Sequence, residues 1–478
     1  MSSSPTSQSE SGDPPSTGGL AAAILAAGQG TRMRSARHKM LHSLAGRPLI
    51  SRVLDLVTAA GAQSIIVVLG HLAEQVRREL PKSVDSVVQE PQLGTAHAVK
   101  VAAEHIKATG ADLLLVHLGD VALVRERSLQ RLVQAGVGPA APVALLSAEV
   151  GDPHGYGRVI RNADGSVESI IEEVDATPAQ RAVREIWSGA MLFWTPWLWQ
   201  RLDALPVSAK GEYYLPGLVN LARADGLEVR AVLAEDEQEV HGVNDLLQLA
   251  QANTILRQRV LEGLMRRGVT VVDPASTYIE PEVEIEADVV VEPGCHLRGR
   301  TRIARDCLIG PNSVVADSQI GAGSRVWMSV VESARVGQGV SIGPFSHLRP
   351  GAIIEDGVTI GNYAEVKNSR IGAGTQQHHF SYVGDADVGE RVNIGAGTIT
   401  VNFSSETGLK SRTVVEDDAS LGSDTLLVAP VRVGARAMTA AGAVVTHDIP
   451  AGEVWIGAPA RPLRQRRGQP LDEARPSR

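Results

Sequence analysis

The segment LAAGQGTRM at residues 25–33 has the composition of a phosphate-binding loop. It follows an apolar run and precedes a stretch with helical spacing. Gly28 and Gly30 would let backbone amides approach phosphate oxygens, and the start of a helix favours an anion. Gly-X-Gly by itself predicts only a tight turn, but Arg32 inside the segment and Lys39 after it add two cations. The segment therefore predicts a nucleotide-binding site.

A second group of polar residues lies in the C-terminal half and comprises Arg349, Lys367 and the adjacent pair His378 and His379. Arginine and lysine can neutralise a phosphate. Histidine ionises near neutral pH, so it can act as a general base. The histidine pair could instead bind a metal, although no cysteine or acidic side chain surrounds it at ligand spacing.

This second group lies in a segment where an apolar residue returns at every sixth position, with a few shifts. The apolar positions are Ile279, Ile285, Val291, Leu297, Ile303, Ile309, Val315, Ile320, Val326, Val336, Ile342, Leu348, Ile354, Ile360, Val366, Val388, Ile394, Val415, Leu421, Leu427 and Val433. In a parallel β-helix each hexad supplies a short strand, and three hexads close one coil. The pattern predicts a left-handed parallel β-helix of roughly ten coils over residues 269–460.

The residues before this β-helix alternate between strand and helix signals. Apolar runs of strand length lie at residues 64–69 and 112–118, and helical spacing occurs at residues 50–60, 74–80 and 96–108. Alternating elements of this kind predict a mainly parallel sheet with helices on both faces. We therefore expect a Rossmann-like α/β domain over residues 20–244.

The segments that flank and join these domains differ in composition. Residues 245–268 form one amphipathic pattern closed by a glycine, which predicts a linker helix. Residues 1–19 are rich in Ser and Pro, and residues 461–478 contain mainly polar residues and Pro. We expect both ends of the chain to be disordered tails.

The bulk composition excludes several classes of protein. The net charge is −8 and no basic stripe with interleaved aromatic residues occurs, so we expect no nucleic-acid partner. No apolar stretch approaches the length of a transmembrane helix, so we expect no membrane insertion. The two cysteines, Cys295 and Cys307, would lie on different faces of the β-helix. They predict no disulfide and a cytoplasmic location.

Further motifs occur in the order found in one enzyme family. They are QEPQLGTAH at residues 89–97, Gly119-Asp120, GYGR at residues 155–158, GEYY at residues 211–214 and GVN at residues 242–244. Together with the phosphate-binding loop, these motifs resemble the bifunctional bacterial UDP-N-acetylglucosamine pyrophosphorylase/glucosamine-1-phosphate N-acetyltransferase family. The resemblance covers nearly all of residues 20–446 and implies an enzyme that makes cell-wall precursors.

For the N-terminal half, the resemblance implies uridylyl transfer from UTP to N-acetylglucosamine-1-phosphate. Arg32 and Lys39 would neutralise the triphosphate and the departing pyrophosphate, and Asp120 and Asn244 would hold magnesium. The implied UTP and UDP-sugar contacts are Leu25, Ala26, Ala27, Gly28, Gln89, Gly94, Thr95, Gly157, Glu172 and Asn244. From the residues alone, Asp120 could instead cap a helix, and Glu172 could be a solvated surface carboxylate.

For the C-terminal half, the resemblance implies acetyl transfer from acetyl-CoA to glucosamine-1-phosphate, with His379 as general base. The implied glucosamine-phosphate contacts are Arg349, Lys367, Tyr382, Asn393 and Lys410. The implied acetyl-CoA contacts are Ala396, Asn402, Phe403, Ser423 and Ala441. Lys410 matches the family only if its loop is two residues longer. The resemblance also implies a homotrimer with sites between subunits.

Three residues depart from the family around the sugar of the N-terminal half. Leu118 replaces a tyrosine, Val174 a lysine and Trp187 an asparagine. Because Trp187 adds bulk, we expect N-acetylglucosamine-1-phosphate to be a poorer substrate here and Trp187→Asn to improve it. Two alternatives to the full bifunctional enzyme stay open. One half could be inactive or shifted to another sugar phosphate or nucleotide, or the protein could be a non-catalytic regulator on the same folds.

Overall fold

The structure is a computed structural model that describes residues 19–208 and 211–463. The chain divides into two compact units, Met1–Leu256 and Arg257–Arg478. The tails predicted at the two ends of the chain lie outside the described residues, except for their innermost positions.

The first unit is built from alternating strands and helices. Its strands are β1 (Leu20–Ala26), β2 (Ser43–Leu44), β3 (Arg47–Pro48), β4 (Ser64–Leu69), β5 (Asp85–Val88), β6 (Leu113–Leu118), β7 (Val143–Glu149), β8 (Arg158–Arg161), β9 (Val167–Ile171), β10 (Glu185–Trp194) and β11 (Val229–Leu233). Its helices are α1 (Leu49–Ala59), α2 (Ala73–Arg77), α3 (Thr95–Ala108), α4 (Glu126–Ala135), α5 (Pro178–Arg181), α6 (Thr195–Arg201), α7 (Gly217–Ala224) and α8 (Leu246–Arg266). Short 3-10 helices lie at Thr31–Met33, Lys39–Leu41, Leu202–Ala204 and Glu237–Val240. Helix α8 lies where the sequence predicts a linker helix, and it crosses the boundary between the units.

Within the described residues, the strands of the first unit form one nine-stranded sheet and the separate pair β2–β3. The main path of the sheet runs β11-β7-β10-β6-β1-β4-β5, and the hairpin β8–β9 pairs with β10. Strand β1 is parallel to β4 and β6, whereas β10 is antiparallel to its neighbours β6 and β7. The predicted Rossmann-like, mainly parallel sheet is confirmed, with β10 and the hairpin as its antiparallel part.

Strand β1 shows how the sheet is buried. All of its residues are buried. Ala21, Ala23 and Leu25 pack into the core on one face of the sheet, and Ala22 and Ile24 pack into the core on the other. A strand covered on both faces carries a continuous apolar run rather than an alternating one. Because β1, β5 and β6 are parallel, their carboxyl ends lie at the same edge of the sheet. Open α/β sheets bind ligands at this edge.

The second unit is a left-handed parallel β-helix with three faces. Strands of the first face are Thr270–Val271, Val290–Val291, Leu308–Gly310, Arg325–Trp327, Ser341–Ile342, Thr359–Ile360, Gln376–Gln377, Asn393–Ile394, Ser420–Leu421, Met438–Thr439, Val454–Ile456 and Arg461–Pro462. Strands of the second face are Tyr278–Ile279, His296–Arg298, Val314–Ala316, Val330–Glu332, His347–Leu348, Ala364–Lys367, Ser381–Gly384, Ile399–Val401, Leu426–Val428 and Val444–Val445. Strands of the third face are Glu284–Ile285, Arg302–Ile303, Gln319–Ile320, Arg335–Val336, Ile353–Ile354, Arg370–Ile371, Ala386–Val388, Thr413–Val415 and Val431–Val433.

The sixfold repeat predicts the axis of this β-helix correctly. Every apolar residue of the repeat, from Ile279 to Val433, is buried. The axis is not wholly apolar, because Gln377 is also fully buried and its Nε2 donates to the Ser381 hydroxyl at 2.9 Å. No helix among the described residues has both the length and the apolar character needed to cross a membrane.

The two cysteines lie on different faces of the β-helix, as predicted. Cys295 and Cys307 are buried free thiols, and each precedes a strand of a different face. The last described strand, Arg461–Pro462, pairs antiparallel with Val454–Ile456 rather than adding a parallel coil.

Candidate active sites

A cavity of about 290 Å³ opens at the carboxyl ends of β1, β5 and β6. Predicted nucleotide-site residues that line it are Leu25, Ala26, Ala27, Gly28, Lys39, Gln89, Gly94, Thr95 and Asp120. The other lining residues are Met40, Gln92, Ala98, Leu118 and Glu212. Gln92 and Glu212 lie inside two of the recognised motifs, but nothing in their spacing shows that they face a cavity. The sequence therefore predicts the strand ends correctly and misses part of the wall.

The wall of the cavity is tightest at Gly94. Its φ is 97°, and a Cβ there would lie 2.6 Å from the carbonyl oxygen of Tyr213, so only glycine fits. Gln89 is held against this turn, because its Nε2 donates to the Gly94 carbonyl at 2.9 Å and lies 3.0 Å from His97 Nδ1. With its nitrogen committed to the protein, the amide of Gln89 presents its oxygen as the acceptor for a ligand.

The charged centre of the cavity is Lys39. Its Nζ donates to Asp120 Oδ2 at 2.6 Å and to Asn244 Oδ1 at 3.2 Å. The Lys39 side chain is 9% exposed and that of Asp120 is 20% exposed, so the ion pair is largely shielded from water. Three residues that are far apart in the sequence thus face one point. The carboxylate and amide oxygens that bind the Lys39 ammonium group could also bind a divalent cation.

The other predicted residues of this half lie outside the cavity lining or have their polar groups bonded elsewhere in the protein. Arg32 is exposed and lies outside the cavity lining. Thr95 lines the cavity, but its hydroxyl accepts the backbone N–H of Leu215 at 2.9 Å. Gly157 and Glu172 also lie outside the lining and face each other, because a Cβ at Gly157 would lie 3.4 Å from Glu172 Oε1. These two residues therefore form a separate group on the β8–β9 hairpin.

A buried arginine fixes the hairpin that carries this group. Arg158 is only 2% exposed, and its Nη2 donates to Glu173 Oε2 at 3.2 Å. The backbone N–H of Gly155 donates to the same carboxylate. The Gly155 N–H and the Arg158 guanidinium hold the pKa of the Glu173 carboxyl below its usual range. The turn before Gly157 is therefore clamped to the strand end that carries Glu172.

The residues that depart from the family are not all part of one pocket. Trp187 is 9% exposed, packs into the core, and donates its indole N–H to the Ala190 carbonyl at 3.2 Å. Trp187 therefore lies outside the lining of the observed cavity, although its backbone N–H bonds to the Gly157 carbonyl at 3.0 Å. Leu118 does line the cavity, whereas Val174 is 56% exposed.

In the second unit, the predicted phosphate ligands stack on one corner. Arg349 and Lys367 occupy the same register position on consecutive coils, at the end of the second face. Arg349 Nη1 donates to Glu365 Oε1 at 2.7 Å. Tyr382 lies opposite Glu365 on the next coil, and its hydroxyl lies over Gly384, where a Cβ would be only 2.2 Å away. The structure therefore brings two cations and a phenol together on three neighbouring coils.

The predicted general base and coenzyme contacts form another column at the opposite corner. The strand registers place His379, Ala396, Ser423 and Ala441 directly above one another on successive coils. Their chain neighbours are also mostly small, and these are Gly395, Gly397, Gly422, Ala440 and Gly442. His379 itself is exposed. The corner above the imidazole therefore carries small side chains over three coils, along which an extended molecule can lie.

The remaining predicted residues lie around these columns. Asn393 is exposed on the first face. Asn402 Nδ2 lies 3.5 Å from the Tyr382 hydroxyl, close to the residues that are predicted to bind the sugar phosphate. Phe403 and Lys410 form an antiparallel bridge that closes the loop between them. Sequence spacing alone had left the length of this loop open, and the bridge shows where Lys410 sits.

Within one chain, the base and the cations lie on opposite edges of the second face. His379 precedes the strand Ser381–Gly384, whereas Lys367 ends the strand Ala364–Lys367 of the coil below. Across residues 19–208 and 211–463, no three His, Cys, Asp or Glu side chains are grouped to hold a metal. The histidine pair at residues 378 and 379 is thus not part of such a cluster.

Both halves of the chain match known protein families. Residues 22–215 match the MobA-like NTP transferase domain, and residues 282–317 and 333–368 match the bacterial transferase hexapeptide (six repeats) family. The bifunctional protein GlmU of Exiguobacterium sibiricum is 43% identical over 430 residues, which cover 90% of this chain and 95% of that protein. The bifunctional protein GlmU of Streptococcus equi subsp. zooepidemicus is 43% identical over 437 residues, which cover 91% and 94%. The chain therefore belongs to the family of bifunctional GlmU proteins, enzymes with a uridylyltransferase half and a hexapeptide acetyltransferase half.

Proposed function

We propose that the cavity of the first unit transfers a uridylyl group from UTP to N-acetylglucosamine-1-phosphate. The observation that carries this proposal is the shielded ion pair of Lys39 and Asp120 in the cavity wall, together with the hydrogen bond from Lys39 to Asn244. An oxygen of the sugar phosphate attacks the α-phosphorus of UTP, a new P–O bond forms, and the bond to the pyrophosphate oxygen breaks. Lys39 and Arg32 would neutralise the charge that gathers on the departing pyrophosphate, the main electrostatic task of such a transfer.

The same three residues support a magnesium site. Asp120 and Asn244 supply one carboxylate and one amide oxygen, and both already face a single cation. Mg²⁺ prefers such oxygens and keeps its remaining positions for water and substrate phosphates. When bound there, magnesium would neutralise negative charge on the phosphates. Lys39 would have to leave these oxygens, which frees its ammonium group for the leaving pyrophosphate.

The opposite wall of the cavity suits the uracil ring. The Gln89 oxygen can accept the ring N–H, and the backbone at Ala27, Gly28 and Gly94 lies beside it in the cavity lining. Amide groups offer both donors and acceptors, which a pyrimidine edge requires. The contacts of Gly157 and Glu172 with the amino sugar belong to the same proposal.

We propose that the second unit transfers the acetyl group of acetyl-CoA to the amine of glucosamine-1-phosphate. The column above His379 carries the argument, because it places small residues where an extended pantetheine chain can lie with its thioester near the imidazole. The amine attacks the thioester carbonyl, a C–N bond forms and the C–S bond breaks. His379 takes the proton from the nitrogen and delivers it to the leaving thiolate. Arg349 and Lys367 would hold the sugar phosphate.

We further propose that the enzyme is a homotrimer. Phe345, Tyr363 and Phe380 occupy the same register position on three consecutive coils, with Phe380 next to His379 on the last of them, and they are 54%, 61% and 57% exposed. Phe345 and Tyr363 are stacked with ring centroids 5.3 Å apart. Aromatic residues make up only 3% of the chain, so an exposed column of three indicates a surface that an interface covers. A neighbouring copy on this corner would also bring its phosphate-binding edge toward His379.

Sedimentation tests the trimer directly. The wild-type protein should sediment with three times the chain mass, and the double variant Phe345→Ser, Tyr363→Ser should dissociate. Phe403→Ser is the matched control, because Phe403 is 53% exposed but lies on the loop rather than in the column. A monomeric wild-type protein at micromolar concentration would contradict the proposal.

Two assays on one purified sample test the activities. We expect thiol release with acetyl-CoA and glucosamine-1-phosphate, and magnesium-dependent pyrophosphate release with UTP and N-acetylglucosamine-1-phosphate. If a panel of sugar phosphates shows a preference for another sugar, the alternative of a shifted specificity gains support, and Leu118 in the cavity wall is then its first candidate cause. We place both reactions in the cytoplasm, where UTP and acetyl-CoA are available and free thiols such as Cys295 persist.

A further inference from the structure

Asp385 has no role in the sites described above. It nevertheless lies next to three of their residues, which are Lys367, Asn402 and Lys410. It follows the second-face strand Ser381–Gly384 with a left-handed backbone, φ 50°. The strand registers place Asn368 on the coil below it and Asn402 on the coil above. Asp385 is only 7% exposed. A buried carboxylate at the turn of a β-helix must have compensating partners.

Its two carboxylate oxygens have separate partners. Asn368 Nδ2 donates to Oδ1 at 2.6 Å, and Asn402 Nδ2 donates to Oδ2 at 2.5 Å. The amide of Asn402 is therefore fixed with its nitrogen toward Asp385. Its oxygen is then directed away from the carboxylate and is an acceptor for a bound molecule.

The backbone around Asp385 anchors the loop that carries Lys410. The Asp385 carbonyl accepts the Thr413 N–H at 3.2 Å, and the Asn402 carbonyl accepts the Ser411 N–H at 2.9 Å. One end of the loop is thus held by the Asp385 side chain through Asn402, and the other end by the Asp385 backbone. Any change in the Asp385 side chain will act on the loop as well as on Asn402.

The charges around Asp385 explain why it stays ionised. Burial raises the pKa of its carboxyl, but the hydrogen bonds from Asn368 and Asn402 and the positive charges of Lys410 and Lys367 outweigh burial, so the pKa lies below its ordinary value. The carboxylate in turn offsets the repulsion between the two lysines.

We propose that Asp385 is a positioning residue of the acetyltransferase half. It fixes the Asn402 side chain so that the amide oxygen accepts an N–H of the pantetheine chain of acetyl-CoA, and it holds the loop that brings Lys410 toward the sugar phosphate. The proposal rests on the acetyltransferase function proposed above. Asp385 touches neither substrate and acts through Asn402 and the loop.

Steady-state kinetics of Asp385→Asn test this role. The variant keeps the shape of the side chain but offers one acceptor oxygen in place of two, so Asn402 loses its charged partner. We expect the KM for acetyl-CoA to rise about tenfold or more, a larger change than in the KM for glucosamine-1-phosphate. Pyrophosphate release by the first unit should stay at the wild-type rate.

Asp317→Asn is the matched control. Asp317 lies in the same column several coils away, has φ 49°, and its Oδ1 accepts the Arg300 N–H at 3.0 Å. It supports a turn as Asp385 does, but it has no contact with Asn402 or Lys410. Both activities of this variant should match the wild type, and a similar rise in the KM for acetyl-CoA would overturn the proposal.

A double-mutant cycle separates positioning from general support of the fold. If Asp385 acts through Asn402, Asp385→Asn should add little to the effect of Asn402→Ala. Additive effects, or a lower melting temperature with both KM values unchanged, would overturn the proposal. A wild-type protein that releases no thiol would instead reject the acetyltransferase function itself, so the two failures are distinguishable.

Discussion

The two halves of the chain bring their candidate residues together in different ways. In the first unit, Lys39, Asp120 and Asn244 come from distant parts of the chain and meet at a cavity that Lys39 and Asp120 line, and the Lys39 side chain is 9% exposed. In the second unit, His379 and Ala396 are held one coil apart by strand register, and the histidine is exposed. The first site is enclosed by one chain, whereas the second is an open surface.

This difference decides what each site depends on. A convergent site depends on tertiary packing, and its ion pair is largely shielded from water. A stacked site depends on the backbone repeat, so its residues keep their spacing whatever the side chains are. To exclude water around its reacting groups, the second site requires a cover that the described residues of one chain do not supply, which agrees with the proposed trimer. Changes in one half should therefore leave the other half active.

The largest expected effect is on acetyl transfer. His379→Ala should lower turnover by about a hundredfold or more, because the base that takes the amine proton is lost. Pyrophosphate release should not change, since the first unit contributes its own residues. His378→Ala is the matched control, because His378 is also exposed and its Nε2 lies 3.3 Å from Gln376 Oε1. If the two variants lose activity equally, the role given to His379 is wrong.

The next largest effect concerns the packing on which the first site depends. Trp187→Asn removes a buried indole and should lower the unfolding free energy of the first unit by about 3 kcal/mol. It should reduce pyrophosphate release rather than improve it, while thiol release persists. Trp199→Asn is a graded control, because Trp199 is half-buried and should cost less. Thermal unfolding followed together with both assays checks this, and an unchanged melting temperature with faster pyrophosphate release would restore the original expectation.

The contrast also explains how much the sequence could predict. The β-helix follows a local repeat, so Ile279, Val366 and Val433 can be assigned to the axis from spacing alone. The columns of the second site then follow once the register is known. In the first unit, the motifs predict which strand ends form the site, but the burial of Trp187 depends on how β10 packs between its neighbours. Likewise, no spacing shows that Asp385 joins two asparagines across coils.

Lowering the pH should destabilise the first unit more than the second. Burial lowers the pKa of His38 and of His117 to about 4. Histidine in the unfolded chain titrates near 6.5, so between these values the unfolded state binds more protons than the folded state. The unfolding free energy of the first unit should therefore fall as the pH falls from about 7 to 4, by on the order of 2 kcal/mol per histidine at pH 5. Both of these histidines lie in the first unit.

Urea unfolding at pH 7 and pH 5 measures this difference. His38→Asn keeps an acceptor for the Met40 N–H, which His38 Nδ1 accepts at 3.2 Å, and should reduce the pH dependence of the first unit. His105→Gln, which changes an exposed histidine of the same unit, is measured beside it as the control. If the two units lost equal unfolding free energy between pH 7 and pH 5, the predicted difference between them would be wrong.

The smallest expected effect concerns cation exchange in the enclosed site. Lys39 Nζ and magnesium would compete for Asp120 Oδ2 and Asn244 Oδ1. Lys39→Met keeps most of the buried stem and removes the charge, so Mn²⁺, used as a probe, should bind the nucleotide-free protein about fivefold tighter. Pyrophosphate release should fall at the same time, because the leaving group loses a cation.

The electron spin resonance signal of free Mn²⁺ measures this affinity without any turnover. Lys100→Met is the matched control, because its ammonium group pairs with Asp203 on the surface and should not affect Mn²⁺ binding. Asp120→Asn should weaken Mn²⁺ binding, since a carboxylate ligand becomes an amide. If Lys39→Met left the affinity unchanged while Asp120→Asn lowered it, the metal would use Asp120 without displacing Lys39. The ammonium group would then be a fixed part of the site rather than a cation that magnesium replaces.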